Sequence, residues 1–308
     1  MQRFIHIAIL IFLIIIVLGS CRKHRDNNSA RQEQDGTSNL DEDYSDLEAY
    51  PDEGMQQADS TDVSRNQTPV SRYNYSWTGK DDIPPVVIII DDFGEVGGSL
   101  LDDFCTLPKE VVFAILPDLR NTKLAAQKAA NSDREVIMHI PMEPDKLTTS
   151  PGVRYIKTGM QPAEINAMVG EFYAQMPMAV GANNHMGSKV TRDRAVMNSV
   201  LESLHEENLF FVDSFTHSKA IGFDLAREKN YLSAKRDIFL DVPDNSDVTL
   251  ISKIESLSKF KGRSEPIVII THCHNRKKLE SLQKFIAQIK AMGVDLIPLS
   301  DAVRQYPG

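Results

Sequence analysis

A chain of 308 residues with 42% apolar side chains can bury one sizeable core, which excludes a wholly disordered protein. Its 43 acidic residues against 34 basic ones leave a formal net charge of −9. That balance excludes the broad basic surface that a phosphate backbone requires, so no nucleic-acid partner is expected.

The first element in chain order is a short apolar run over residues 5–18, behind Arg3 and ahead of Leu18-Gly19-Ser20-Cys21. It falls short of the roughly 20 residues of a membrane span and has the form of an export signal. Leu18-Gly19-Ser20-Cys21 resembles the lipobox of bacterial lipoproteins, which implies cleavage before Cys21 and a lipid on Cys21. A membrane partner is then expected through that anchor, with an uncleaved signal anchor as the alternative. Both place the rest of the chain outside the cytoplasm. Arg22 after Cys21 resembles the enteric sorting pattern for an outer-membrane destination. Between Asp41 and Ser64 stand nine acidic residues and no basic one, too little apolar surface to offset chain entropy. The organisation read from sequence is therefore a signal over 1–20, a disordered acidic tether over 21–80 and a folded domain over 81–308.

Within that domain, apolar runs of strand length alternate with amphipathic helical segments. Strands are predicted over 86–90, 111–116, 135–139, 180–184, 210–213, 238–241, 267–272 and 295–298. Helices are predicted over 98–105, 122–131, 162–175, 192–207, 220–228, 247–260 and 278–292. The alternation predicts an α/β fold, a distorted (β/α) barrel with seven or eight parallel strands. The loop over 141–159 is long and punctuated by Pro, Gly and Thr, which suits a substrate-facing role. Cys105 and Cys273 are expected to stay reduced. Lys235-Arg236 and Arg276-Lys277-Lys278 read as solvated surface.

The C-terminal ends of the proposed strands carry Asp91-Asp92, His139, His185, Asp213, Asp241 and His272. In a parallel barrel these ends converge on one face. Each residue alone has an ordinary explanation, as a helix cap, a turn former or a core histidine. Their recurrence at equivalent places points to a shared polar site.

The motifs Ile-Ile-Asp-Asp-Phe-Gly (89–94), Phe-Ala-Ile-Leu-Pro (113–117), Met-His-Ile-Pro-Met-Glu-Pro (138–144), Gly-Ala-Asn-Asn-His-Met-Gly-Ser (181–188), Phe-Val-Asp-Ser (211–214), Phe-Leu-Asp (239–241) and Ile-Thr-His (270–272) together resemble the divergent polysaccharide deacetylase family. The resemblance implies a distorted (β/α) barrel and a divalent metal, usually taken as zinc. By the same resemblance Asp92 is a metal ligand, Asp91 the general base, His139 the first metal histidine and His272 the general acid. Better-known deacetylases carry a second histidine four residues after the first, where this chain has Glu143. The third ligand is then His185 or Glu143, and His185 is preferred because imidazole suits zinc.

One carboxylate and two imidazoles leave a position open for water, the pattern of a catalytic zinc site. Asn183 or Asn184 is expected to donate to the oxyanion, and Asp213 and Asp241 to orient His272 or His139. The function expected is removal of acetyl groups from an envelope or extracellular glycan. The alternative is a non-catalytic or weakly catalytic glycan-binding or assembly protein of the same fold.

Overall fold

The computed structural model describes residues 82–303. The signal over 1–20, the lipidation site Cys21 and the tether lie outside the described residues. No helix among the described residues is long and apolar enough to cross a membrane.

Eight parallel strands form one sheet: β1 (Val86–Phe93), β2 (Val112–Ile115), β3 (Val136–Met142), β4 (Gly181–Met186), β5 (Phe210–Asp213), β6 (Ser233–Lys235), β7 (Ile238–Phe239) and β8 (Ile267–His272), in the order β6-β5-β4-β3-β2-β1-β8-β7. Laid flat, eight strands would span about 34 Å. The edge strands β6 and β7 are separated by only Arg236 and Asp237, and three steps of chain reach about 11 Å at most. The sheet therefore curls into a barrel that stays open along the β6/β7 seam.

Side chains alternate across each strand, and the two sets bury in different places. Val87, Ile89, Val112, Ala114, Ile137, Val212, Val268 and Ile270 pack with one another and with no α-helix residue, inside the curl. Val86, Ile88, Ile90, Phe113, Met138 and Ile269 face outward and pack against the helices. Those helices are α1 (Gly98–Phe104), α2 (Thr122–Asn131), α3 (Pro162–Tyr173), α4 (Arg194–Glu206), α5 (Gly222–Glu228), α6 (Asp247–Ser256) and α7 (Arg276–Ala291). Helix α4 buries Val196, Met197, Val200, Leu201 and Leu204, an apolar stripe at helical period. Its Asp193 N-cap accepts from Ala195 N and Val196 N, which starts it two residues later than predicted. The segment predicted as helix to residue 260 ends at Ser256 and continues as a 3₁₀ turn, Leu257–Phe260.

Two strand expectations are corrected. The run at 295–298 forms only an isolated bridge, Val86↔Leu296. Ile297, Leu299, Ala302 and Val303 instead join the inner core. Their segment lies at the N-terminal end of β1, where Val86 N donates to Asp295 O and Ile297 N to Val86 O. It stoppers that end of the barrel and leaves the opposite, C-terminal face as the open mouth. The eighth strand is β6, whose Ser-Ala-Lys sequence has no run of β-branched residues to announce it.

Candidate metal centre

The inward series along each strand continues past the apolar floor into polar residues. On β1 it runs Val87, Ile89, Asp91; on β3, Ile137, His139; on β4, Asn183, His185; on β8, Val268, Ile270, His272. Strand alternation thus delivers these groups to one mouth. Asp92 has the wrong parity, since its neighbour already faces in. Its φ of +71° and a bulge that shifts the β1/β2 register between Ile90 and Phe93 re-aim it. Asparagine and aspartate tolerate this left-handed conformation better than other non-glycine residues.

His139 and His185 sit on adjacent strands, His139 opposite Asn183 and His185 opposite Pro141. Pro141 interrupts no ladder on the other side, because β2 pairs with β3 only as far as Met138. His185 Nδ1 lies 3.0 Å from His139 Nε2 and 3.0 Å from Asp92 Oδ1. His139 Nε2 lies 3.2 Å from that same oxygen. After His185 the chain turns at once through Met186 (φ +52°) and Gly187 (φ +87°). A Cβ at Gly187 would stand 2.9 Å from Met142 Cβ, so this turn requires glycine.

All three residues are buried, and Asp92 Oδ1 accepts no hydrogen bond despite two imidazole nitrogens beside it. An orphaned buried carboxylate oxygen is costly. Ligands about 2.0–2.1 Å from one ion stand about 2.8–3.4 Å apart, from the edge of an octahedron to that of a tetrahedron. The donor triangle fits that spacing, and among the described residues Asp92, His139 and His185 form a group that can hold a metal ion.

The surrounding bonds fix which atoms face that triangle. Asn183 Nδ2 donates to Asp91 Oδ1 at 2.9 Å, which turns Asn183 Oδ1 to His139 Nδ1 at 2.7 Å. His139 Nδ1 is then the protonated nitrogen, and its Nε2 lone pair points at Asp92 and His185. His274 Nε2 donates to Asp92 Oδ2 at 2.6 Å, so Asp92 keeps Oδ1 for the triangle. His274 was not picked out from the sequence, although its spacing of two from His272 places both on one side of an extended chain.

Asp92 is held well below the ordinary carboxylate range: burial opposes ionisation, and His139, His185 and His274 outweigh it. Asp91, 2% exposed, is raised by burial, with His139 and His272 pulling the other way. His272 lies opposite Asp91 on the neighbouring strand. Its Nδ1 donates to Asp241 Oδ2 at 3.0 Å and its backbone N to the same oxygen at 3.1 Å. Lys278 Nζ donates there too, at 2.7 Å. Burial alone would lower the His272 pKa; Asp241 pushes it up to about 9.

Other expected site residues have their polar atoms engaged elsewhere. Asn183 spends its amide on Asp91 and His139. Asn184 donates to Met186 O and accepts from Ser214 N, so it ties two loops together and offers the oxyanion nothing. Asp213 accepts from Phe215 N and Phe223 N; it secures the loop after β5 and orients neither histidine. Glu143 Oε1 pairs with Lys189 at 2.7 Å, and Oε2 accepts from Thr158 N and Oγ1. The carboxyl group of Glu143 is held low, burial being outweighed by Lys189 and Thr158. It staples the loop after β3 and stands outside the donor triangle. Cys105 and Cys273 are free thiols, and burial raises Cys273 well above the ordinary thiol value.

A parallel barrel with an Asp-His-His cluster at the C-terminal mouth defines a class, and the comparisons place the chain in it. Residues 88–303 match the divergent polysaccharide deacetylase family, and the chain belongs to that family. It is 34% identical over 159 residues to an uncharacterized protein of Haemophilus influenzae, covering 51% of this chain and 55% of that one. It is 34% identical over 161 residues to the uncharacterized protein YibQ of Escherichia coli, covering 52% and 50%. The chain thus spans about half the length of the curated relatives it matches. Among solved structures, the uncharacterized protein ATU2773 of Agrobacterium tumefaciens has the same fold, with a TM-score of 0.62 at 16% identity over 70% of this chain and 87% of that one.

Proposed function

We propose that this chain is a metal-dependent hydrolase that removes acetyl groups from a polysaccharide of the envelope or extracellular space. The observation that carries the reading is the convergence of Asp92 Oδ1, His139 Nε2 and His185 Nδ1 beside a raised Asp91 and a protonated His272. Asp92, His139 and His185 would hold the ion, and two imidazoles with one carboxylate suit zinc. A bound divalent ion supplies Lewis acidity, which lowers the pKa of water and polarises the acyl oxygen.

The remaining work falls to the chain's own groups. Asp91 is the base that takes the proton of the attacking water, with its second role as acceptor from Asn183 keeping it fixed. His272 carries its proton at neutral pH and gives it to the departing amine or hydroxyl. Asp241 holds that imidazole in the tautomer with hydrogen on Nδ1 and in one orientation. The export signal and Cys21 would anchor the protein by lipid on the far side of the cytoplasmic membrane, with residues 21–80 as tether and 81–308 as the acting domain.

The test is zinc loading of the full chain followed by release of acetate from N-acetylated chitohexaose. About one zinc per chain and metal-dependent acetate release are expected, and Asp91→Asn should keep the zinc while losing the release. Full activity in a folded, metal-free protein would overturn the reading.

A second reading has one observation in its favour. Glu143 stands where the family resemblance implies a histidine, and its carboxylate is already used by Lys189 and Thr158. A glycan-binding or assembly protein with little catalysis would tolerate that. Its cellular role would survive Asp91→Asn unchanged, whereas a deacetylase would lose its role.

A further inference from the structure

His274 touches the donor triangle, and the proposed hydrolysis gives it no task. Its backbone is fixed on both sides. Cys273 N donates to Asp91 O at 3.2 Å, one step past the last β1/β8 pair, and Asn275 caps α7 by accepting from Lys278 N at 3.0 Å. Alternation places the ring on the side of His272, and the two rings stack with centres 5.5 Å apart and planes 28° apart. His272 is itself tied to Asp241 at 3.0 Å. The His274 ring is thus braced, and its Nε2 stands 2.6 Å from Asp92 Oδ2.

What matters is which oxygen of Asp92 this bond takes. A carboxylate meets a cation through one oxygen or through both. Asp92 Oδ1 lies 3.0 Å from His185 Nδ1 and 3.2 Å from His139 Nε2 and accepts no hydrogen bond, whereas Oδ2 accepts from His274. Turning Oδ2 toward an ion would break a short bond to an ionised acceptor, of the stronger kind. His274 stands outside the group of donor atoms that can hold the ion, so it acts through Asp92 and not beside it. The bond needs hydrogen only on Nε2, which the neutral imidazole supplies.

We infer that His274 is a positioning residue that confines Asp92 to one-oxygen coordination, an assignment that rests on the metal-dependent deacetylase reading. Three protein donors then leave the fourth tetrahedral position to water. An Asp92 free to chelate would fill that position or raise the coordination number, which suits ions that prefer six ligands. His274 thereby tilts the site toward zinc.

The test compares the full chain with His274→Ala and with His274→Gln, whose amide keeps a donor for Asp92 Oδ2. The His274 side chain is 22% exposed, so trimming it opens to solvent instead of leaving a closed cavity, and circular dichroism should be unchanged. Titration against a competing chelator should show zinc affinity lower by about 10- to 100-fold in His274→Ala, with a smaller loss for manganese(II). His274→Gln should regain most of the zinc affinity. Cobalt(II) in place of zinc reads the coordination number, since its visible absorption is strong when four-coordinate and weak when five- or six-coordinate. That absorption should drop in His274→Ala and return in His274→Gln. Wild-type zinc affinity and cobalt spectrum in His274→Ala overturn the inference, and so does His274→Gln behaving like His274→Ala. A third imidazole in the X-ray absorption spectrum of the cobalt protein makes His274 a ligand and overturns it as well. Acetate release by the wild type, with metal binding unchanged in His274→Ala, removes the inference and leaves the deacetylase reading intact. The expected metal shifts in a protein that releases no acetate keep the inference and remove the deacetylase reading.

Discussion

The mouth of the barrel has two kinds of polar group, and they differ in what their bonds leave over. At the ends of β1, β3 and β4, Asp92 Oδ1, His139 Nε2 and His185 Nδ1 point at one another across 3.0–3.2 Å, while Asp92 Oδ2 is tied to His274 and His139 Nδ1 to Asn183. Asn184 in β4, Asp213 at the end of β5 and the half-buried Glu143 just after β3 have the same chemistry, and Asn184 and Asp213 are as buried as the triangle. Their oxygens and amides are consumed by Lys189, Thr158, Ser214, Phe215 and Phe223. Residue type alone does not separate the two kinds. A group is available for a ligand only when the fold has left its donor atom unspent, and buried atoms are left unspent at a cost.

The sharpest break of that comparison is to remove the unspent atoms. Asp92→Asn should cost zinc binding outright and lower acetate release by roughly 10²-fold or more. Asp91→Asn should lower the rate by about 10²- to 10⁴-fold while zinc stoichiometry stays at one. Metal analysis and acetate assay on the same preparations separate the two. Zinc retained by Asp92→Asn with unchanged affinity would remove Asp92 from the ligand set.

The Asp241–His272 pair tests whether a spent group can matter through its partner. Folded His272 has a pKa of about 9 against 6.5 for the free side chain, so the native state binds this proton more tightly than the unfolded chain. Its contribution to stability is complete below about pH 6.5 and is lost as pH rises through about 9. If His272 is the acid, the rate falls on the same alkaline limb. Asp241→Asn removes the charge that raises it, and the limb should move down by roughly two pH units toward the ordinary histidine value. A limb that stays near pH 9 in Asp241→Asn would assign it to another group.

Much of this was readable from sequence because strand alternation is strict. The β-branched runs before Asp91, His139 and His272 fixed both the strands and the face on which their ends emerge. Three features escaped for definite reasons. The bulge that turns Asp92 beside Asp91 depends on how β1 pairs with β2, which local sequence does not encode. The strand Ser233–Lys235 is held by its register with β5, Phe211 to Ser233 through Asp213 to Lys235, and not by its own propensity. The apolar residues at 295–303 look like another strand because they are buried, yet they stopper the barrel floor instead of extending the sheet. His274 was visible in principle: Thr271-His272-Cys273-His274 alternates, so one inward histidine implies the next.

The weaker predictions separate support from ligation. Asn183→Leu keeps the size of the side chain but leaves His139 Nδ1 and Asp91 Oδ1 without their shared partner, so zinc affinity should fall by about 10- to 100-fold with one zinc still bound at saturation. Glu143→Gln should do least. It neutralises the partner of Lys189, an ion pair whose lysine is 42% exposed, and such pairs contribute about 1 kcal/mol or less. The amide can still accept from Thr158 and keep the loop after β3 in place. Zinc affinity should therefore match the wild type, with a melting temperature lower by a few degrees at most. Equilibrium zinc titration against a competing chelator decides it: a loss comparable to that of Asp92→Asn would make Glu143 a ligand in the loaded protein. The loop that it staples would then have to release Thr158 and Lys189 to let it reach the metal.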